Sequence, residues 1–342
     1  MSRRNSIASS VSALLVSLIP AVGVAASCPT DVEYFLRWNT DHTERQVRPT
    51  YPVSQAQADT LPVFHVCKDE RGRVIRAEFY AYGKPSNASP FGTHRVEIRF
   101  RAGQIERVYQ DVDGKPAMNR SRVAVERYTQ FEQGFPLKKE HIGLDGSLVN
   151  DSTGASTYAF ERDERGRRIA ETRYSTSGEL VPEHNGFEQA RFEFDRRDYA
   201  RYRRGYNRHG KPMEGPGGYH TAYFWFNQHG VFTAEEFRDI EDRPALFPPG
   251  GYFRVEFREI DELGQWHTLA YFDQAGAPLS QHAAVAVSQF DKLRRRKSVS
   301  YVNPQGQAQA KKDGTAQILF NYRSDGTLDS MKRYGLDGRP IE

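Results

Sequence analysis

The sequence predicts an all-β protein: an elongated antiparallel sheet or open solenoid of about nine tandem β-hairpins, with a short N-terminal cap. Three observations predict it. Glycine-bearing turns recur about every 32 residues beyond residue 60. The runs between them alternate apolar and polar side chains, the period of a half-buried strand. A second and a third set of turn residues keep the same register, and several markers in one phase make a specific repeat signal.

Gly83, Gly114, Gly146, Gly178, Gly210, Gly276, Gly306 and Gly338 mark the closing turns, and Asp242-Arg243-Pro244 fills the gap before Gly276. Gly72, Gly103, Gly134, Gly166, Gly230, Gly264 and Gly326 mark the first turns, with Asp198 and Leu293 as irregular members. Gly92, Gly154, Gly186, Gly218, Gly250 and Gly314 open many units. Within a unit the grammar is constant. In HRVEIRF, Val96, Ile98 and Phe100 share one face and Arg95, Glu97, Arg99 and Arg101 the other; Phe253, Val255 and Phe257, then Ile318, Phe320 and Tyr322, repeat the pattern. The second strand ends in an aromatic residue, as at Phe79, Tyr109, Tyr174, Tyr206, Phe237, Phe272, Tyr301 and Tyr334. A lone hairpin is marginal in water, so neighbours must pair and share their apolar faces. Ala222–Phe226 (AYFWF) is apolar on both sides, which places it where the sheet is covered or where a partner docks through Tyr223 and Trp225.

The segments before the repeats read differently. Residues 1–27 have the form of a signal peptide: Arg3 and Arg4, an apolar stretch from Ser12 to Val24, then Val24-Ala25-Ala26 as a small-residue cleavage site. Cleavage there predicts an exported chain with Cys28 at its start. Two readings of Cys28 stand. It forms a disulfide with Cys67, the second of the chain's two cysteines, or it is lipidated, which would be the chain's one attachment to a membrane. Residues 28–61 form a cap and connector: Asp31 would cap a short helix through Leu36 and Trp38, and residues 49–60 would run as a linker to the first strand. This segment would cover the open edge of the first hairpin. The repeat domain is 62–342.

Composition narrows the function. With 48 basic and 44 acidic residues among 342, and a net charge of +4, the chain as a whole lacks the strong basic excess of a nucleic-acid binder. A mean hydropathy of −0.73 excludes a polytopic membrane protein. No G-x-S-x-G, P-loop, H-E-x-x-H or Rossmann fingerprint occurs, so no catalytic residue, metal ligand or cofactor is expected. His209, His220 and His229 lie beside turns and read as solvated. Asp and Glu read as turn residues or as cross-strand partners of Arg on the charged face. Two basic stretches stand out: Arg196, Arg197, Arg201, Arg203, Arg204 and Arg208 among aromatics, and Arg294, Arg295 and Arg296 within KLRRRK. They read either as solvated charge that keeps strand edges apart or as a surface for an anionic partner.

The unit from Lys68-Asp-Glu-Arg-Gly72 to Tyr82-Gly-Lys-Pro85, like Asp163-Glu-Arg-Gly166 through Gly178 and Tyr271–Pro278, resembles bacterial tandem β-hairpin repeats of the MORN-variant and YD types. Those repeats have shorter periods than the 32 residues here. The resemblance implies elongated β architecture and non-catalytic work in binding or assembly, and it transfers no site residues. The leading expectation is an exported protein of the bacterial periplasm or cell surface that binds a protein or an anionic envelope polymer, and no nucleic acid. Two alternatives accompany it: an antidote against a secreted toxin, and an envelope enzyme near the cap around Cys67 and His65. Oligomeric state is left open.

Overall fold

The computed structural model describes residues 28–341 apart from 41–42, 45–46, 184, 248–249, 280–283 and 324–327. The expected signal peptide, 1–27, and the turn mark Gly326 lie outside the described residues.

Among the described residues from 62 onward, nine hairpins follow one another along a single antiparallel sheet. They are β3–β4 (Pro62–Lys68, Val74–Ala81), followed by the two-residue β5 (Lys84–Pro85), then β6–β7 (Arg95–Arg101, Gln104–Gln110), β8–β9 (Val125–Glu132, Phe135–Ile142) and β10–β11 (Thr157–Arg162, Arg168–Tyr174). Next come β12–β13 (Gln189–Phe194, Ala200–Tyr206), β14–β15 (Thr221–Phe226, Phe232–Arg238) and β16–β17 (Arg254–Ile260, Trp266–Phe272). The last are β18–β19 (Val285–Phe290, Arg296–Val302) and β20–β21 (Gln317–Tyr322, Leu328–Tyr334), closed by the two-residue β22 (Pro340–Ile341). They are hairpins 1 to 9 below.

Turn chemistry explains the chain reversals. In the first turn of hairpin 1 the Gly72 amide donates to the Asp69 carbonyl at 2.8 Å, and Asp69 Oδ1 accepts from the amides of Arg71 and Arg73. Asp163, Asp195, Asn227, Asp261 and Asp291 head their turns in the same way. The fourth residue of such a turn needs a positive φ, which glycine adopts without strain. Asp198 takes that place at +67°, as its irregular position predicts. In hairpin 8 the position belongs to Arg294 at +61°, not to Leu293, because the turn counts from Asp291. Likewise Gly251, at +65°, carries the opening turn assigned to Gly250.

The sheet coils instead of lying flat. Pairing within a hairpin runs the length of both strands, whereas most successive hairpins share only three paired residues, as between Ala170–Thr172 and Gln189–Arg191. The register also shifts at Glu161/Arg162, Glu193/Phe194, Trp225/Phe226, Gln289/Phe290 and Asn321/Tyr322, so a bulge recurs at 32 residues or its multiple. Bulges bend the strand and sharpen its twist. The curl brings hairpin 8 back to hairpin 1, where the Tyr82 hydroxyl donates to the Leu293 carbonyl at 3.4 Å and Arg295 lies over the Tyr82 ring. The sheet remains open.

Residues 28–61 depart from expectation. Asp31 starts no helix; Glu33–Thr40 is strand β1, which pairs with β2 (Val47–Val53) on one side and with β3 on the other. Part of the expected linker is therefore strand, and a single helical turn, α1 (Gln55–Ala58), follows with Ser54 and Gln57 as its capping box. The physical reason is tertiary. The free edge of β3 offers β1 a ladder, and apolar residues of β1 find cover on both faces: Phe35 and Trp38 against Phe64, Tyr34 and Leu36 against Ala58, Leu61 and Val63. The segment does cover the first edge, as strands.

The core follows the concave side of the coil. Phe64, Val66, Phe79, Val96, Ile98, Ile105, Tyr109 and Tyr128 form its largest buried cluster, and Phe187, Tyr219, Ala222 and Phe237 a second one in the middle repeats. The concave face is not purely apolar, which corrects the expectation that charge keeps to turns and to the outer face. Arg107, Glu126 and Glu171 point inward around Glu44 of the β1–β2 connection: Arg168 meets the Glu44 carboxylate at 3.0 Å and Glu171 at 2.7 Å, and Arg107 donates to the Tyr128 hydroxyl at 2.8 Å. Buried ions survive only when paired. Here the inserted loop supplies the missing carboxylate.

Candidate binding surface

The convex face of hairpins 5 to 7 carries a ladder of rings and guanidinium groups. Alternation along β13 turns Tyr202 and Arg204 outward; along β14 it turns Tyr223 and Trp225 outward, while Ala222 is fully buried on the opposite side. Register places Tyr202 opposite Tyr223, with ring centroids 5.7 Å apart and edge to face. Trp225 lies 6.3 Å beyond Tyr223 on the same strand. Arg204 sits 4.1 Å from the Tyr202 centroid, Arg254 5.1 Å from Trp225 and Arg238 6.0 Å from Tyr223. Among the described residues no second layer of strands covers this face, so AYFWF is apolar on both sides because one side packs in the core and the other stacks with arginine.

Carboxylates hold the guanidinium planes in place. Glu236 bridges Arg238 at 2.6 Å and Arg254 at 3.4 Å, and Glu256 takes Arg254 at 2.9 Å and Arg258 at 2.6 Å. Glu193 accepts from the Tyr202 hydroxyl, and burial followed by that hydrogen bond pushes the Tyr202 hydroxyl up to about 12. Tyr202 is thus a neutral donor at physiological pH. A shallow cavity of about 350 Å³ lies over Tyr223 and Trp225, flanked by Arg201 and Arg238. Trp225 is 38% exposed, high for a residue of its size. Such a surface can stack on flat groups and hold anionic ones.

The two basic stretches do not merge into one patch. Of the first, Arg201 and Arg204 share the convex face with Tyr223 and Trp225. Arg203 faces inward to Glu183 at 3.4 Å. Arg208 is clamped by Glu188 at 2.8 Å, and Arg197 pairs with Asp195 and donates to the Asn227 carbonyl. Arg196 is exposed in the turn. Of the second, Arg294 pairs with Asp261 at 2.8 Å, Arg295 with Asp291 at 2.7 Å, and Arg296 lies over Trp266. Sequence reasoning missed Tyr202, Arg238 and Arg254 as members of the surface. Their signal was the odd-and-even alternation of four consecutive strands, readable only once the register between strands is known.

The cap offers no thiol. Cys28 and Cys67 form a disulfide, with Cα atoms 5.6 Å apart, so Cys67 is neither a nucleophile nor a lone thiol, and Cys28 has no free sulfur for a lipid. His65 is packed between rings, stacked 3.9 Å from Tyr80 and edge-on to Tyr34, and burial lowers its pKa. His220 is buried too, contrary to expectation, with Nδ1 3.1 Å from the Met213 carbonyl; His209 and His229 are exposed. Asp111 heads a turn, its Oδ1 accepting from Asp113 and Lys115 amides at 2.9 Å. Among the described residues, Glu214, Asp239 and Glu241 gather carboxylate oxygens within 4.8 Å, and Arg243 already pairs with the latter two. Also among them, no helix is long and apolar enough to cross a membrane.

No protein-family model and no curated protein sequence matches the chain. Solved structures do. The crystal structure of TcdB2-TccC3-TEV aligns over 86% of this chain at 11% identity and a TM-score of 0.30. This chain spans only 16% of that one. A porin-like protein from Bacteroides uniformis aligns over 79% of this chain and 88% of its own length, at 12% identity and a TM-score of 0.28. The molecule is a β-rich repeat protein on the strength of its own strands and turns, described above.

Proposed function

We propose that this chain is an exported, non-enzymatic repeat protein of the bacterial envelope, working as tandem hairpin arrays of the MORN-variant and YD kinds do. It holds a protein partner or an anionic envelope polymer on the convex face of its coiled sheet. The single observation that carries this reading is the outward ladder of Tyr202, Tyr223 and Trp225 interleaved with Arg204, Arg238 and Arg254. Aromatic and arginine side chains dominate binding energy at interfaces, and here they are already held by neighbours, which lowers the entropy lost on binding. The Cys28–Cys67 disulfide supports an oxidising compartment, and the form of residues 1–27 supports export. On this reading Cys28 is a structural half-cystine.

The test is co-sedimentation and titration of the mature protein with purified peptidoglycan and with lipopolysaccharide. Trp225→Ala combined with Tyr223→Ala should weaken binding at least about tenfold, the scale of a lost aromatic hot spot, with melting unchanged because both side chains face outward. Binding should also fall with salt. Equal retention by wild type and double variant would defeat the assignment of the face. Failure to bind either polymer would leave a protein partner as the ligand, to be tested with the same variants.

A further inference from the structure

The seam where the coil closes holds a cavity that the ladder on the convex face does not explain. There β1 and the start of β3 meet the first turns of hairpins 7 and 8. The volume is about 270 Å³, just below the range of drug-sized sites and enough for a small molecule. Leu36, Pro62, Leu263, Trp266 and Phe290 give it apolar walls, and Arg37, Arg294 and Arg296 reach the same space. Among the described residues no carboxylate lines it.

Arginines in a lining make a positive site only where ion pairs leave their charge uncancelled. Arg294 is cancelled, because Asp261 takes it at 2.8 Å. Arg296 is not. Its guanidinium lies over the rings of Trp266 at 5.0 Å, Phe290 at 6.0 Å and Phe320 at 6.0 Å, and its Nε is buried without an acceptor. Arg37 lies over the Tyr51 ring and donates to the Gly264 carbonyl, a neutral acceptor that fixes the guanidinium and leaves its charge intact. Among the described residues neither Arg37 nor Arg296 meets a carboxylate, although both are half-buried. Arginine stays protonated in proteins, and aromatic faces attract a cation without neutralising it. A charge partly withdrawn from water is costly until a counter-ion joins it, so both side chains are poised for an anion from solution. They come from opposite sides of the seam, Arg37 from β1 and Arg296 from the start of β19.

We propose that this seam cavity binds a small organic acid, its carboxylate held by Arg37 and Arg296 and its apolar body laid against Leu36, Trp266 and Phe290. Bound there, the acid bridges β1 to hairpins 7 and 8. The site is independent of partner binding on the convex face.

The experiment titrates benzoate, and benzamide as its uncharged isostere, into the mature disulfide-bonded protein. Binding is followed by the indole N–H magnetic resonance signals of the chain's three tryptophans, Trp38, Trp225 and Trp266. Trp38→Phe and Trp225→Phe, both outside the lining of this cavity, assign the Trp266 signal by elimination. Benzoate should shift that signal to saturation at one site per chain, and benzamide should bind at least about tenfold more weakly, the scale of a lost hydrogen bond to a charged group. Arg296→Gln should weaken benzoate by a similar factor. Lys297→Gln removes the same charge from the next residue, which is exposed and on the opposite face of β19, and should keep the wild-type affinity. Should Arg296→Gln fail to show the wild-type circular dichroism and melting, the two ligands compared on the wild type and the identity of the shifted indole decide the matter alone. Absence of a saturable shift, equal affinity for benzoate and benzamide, a largest shift at Trp38 or Trp225, or equal weakening by Arg296→Gln and Lys297→Gln would overturn the proposal.

Discussion

Hairpins 1 to 3 and hairpin 9 share one grammar and end in different states. In the first three, Phe64, Phe79, Ile98, Tyr109 and Tyr128 are all buried. In hairpin 9 the equivalent face, Ile318 and Phe320, is half-buried, and Met331 opposite Phe320 is 60% exposed. The paired strands are present in both, and hairpins 1 and 9 each carry a bulge, at Cys67/Lys68 and Asn321/Tyr322. What differs is cover: β1 extends the ladder beside β3, Trp38 packs on Phe64 and Phe91, and the disulfide ties the segment down. Alternation makes a strand, and a neighbouring layer makes a core. Stability in such an array is a sum of module and neighbour terms, so it should be graded along this chain.

The sharpest way to break that contrast is to cut the same ring from both ends. Phe64→Ala should cost about 3–5 kcal/mol, the range for a buried Phe. Phe320→Ala should cost about 1 kcal/mol, since less area leaves contact. Hydrogen exchange resolved by hairpin measures both; equal losses would remove the gradient. Next in size is the cross-link. Replacing Cys28 and Cys67 by Ser releases a span of 39 residues, which the chain-entropy model values at about 4 kcal/mol as an upper figure. Protection should drop in hairpins 1 to 3 and hold in hairpins 7 to 9, and a uniform drop would show one cooperative unit instead.

The smallest of the three effects is set by pH. Burial, then the nearby Lys139, push His141 down to about 4, and burial lowers His65 and His94 as well. All three belong to hairpins 1 to 3. Each folded-state pKa lies below the unfolded value near 6.5, so the unfolded chain binds protons first. The stability tied to neutral imidazole is complete above about pH 6.5 and is lost as pH falls toward about 4, up to about 3 kcal/mol for His141. Melting followed from pH 7 to 4.5 should shift down in wild type and shift less in His141→Asn. Matching slopes would show that the imidazole is not the group responsible.

Much of this was legible in one dimension. The glycine phase predicts the reversals because a positive φ after an Asp- or Asn-headed turn is a local demand, met at Gly72, Gly166, Gly230 and Gly264. Where the glycine is missing, the reading depends on counting from the turn's first residue, and Arg294 shows how a one-residue slip enters. Strand faces were legible as well: Val96 and Ile98 are inside as alternation requires. The strand at Glu33–Thr40 was not, because its partner edge lies outside its own sequence. Nor were the inward charges of Arg107, Glu126 and Glu171, whose alternation resembles any apolar-facing position until the Glu44 loop is seen beside them. Tyr223 and Trp225 announced themselves as rings on the wrong parity; their arginine partners on β13, β15 and β16 did not.

Local rules therefore settled the module: turn stereochemistry and period-two burial act over a few residues, and those residues are written in order along the chain. The coil, the insertion of β1 and β2 into it and the pairing of buried charge arise from contacts between residues up to 227 positions apart, as between Arg37 and Gly264. Such contacts depend on how small bends at each bulge accumulate over successive hairpins, and no single repeat contains that sum.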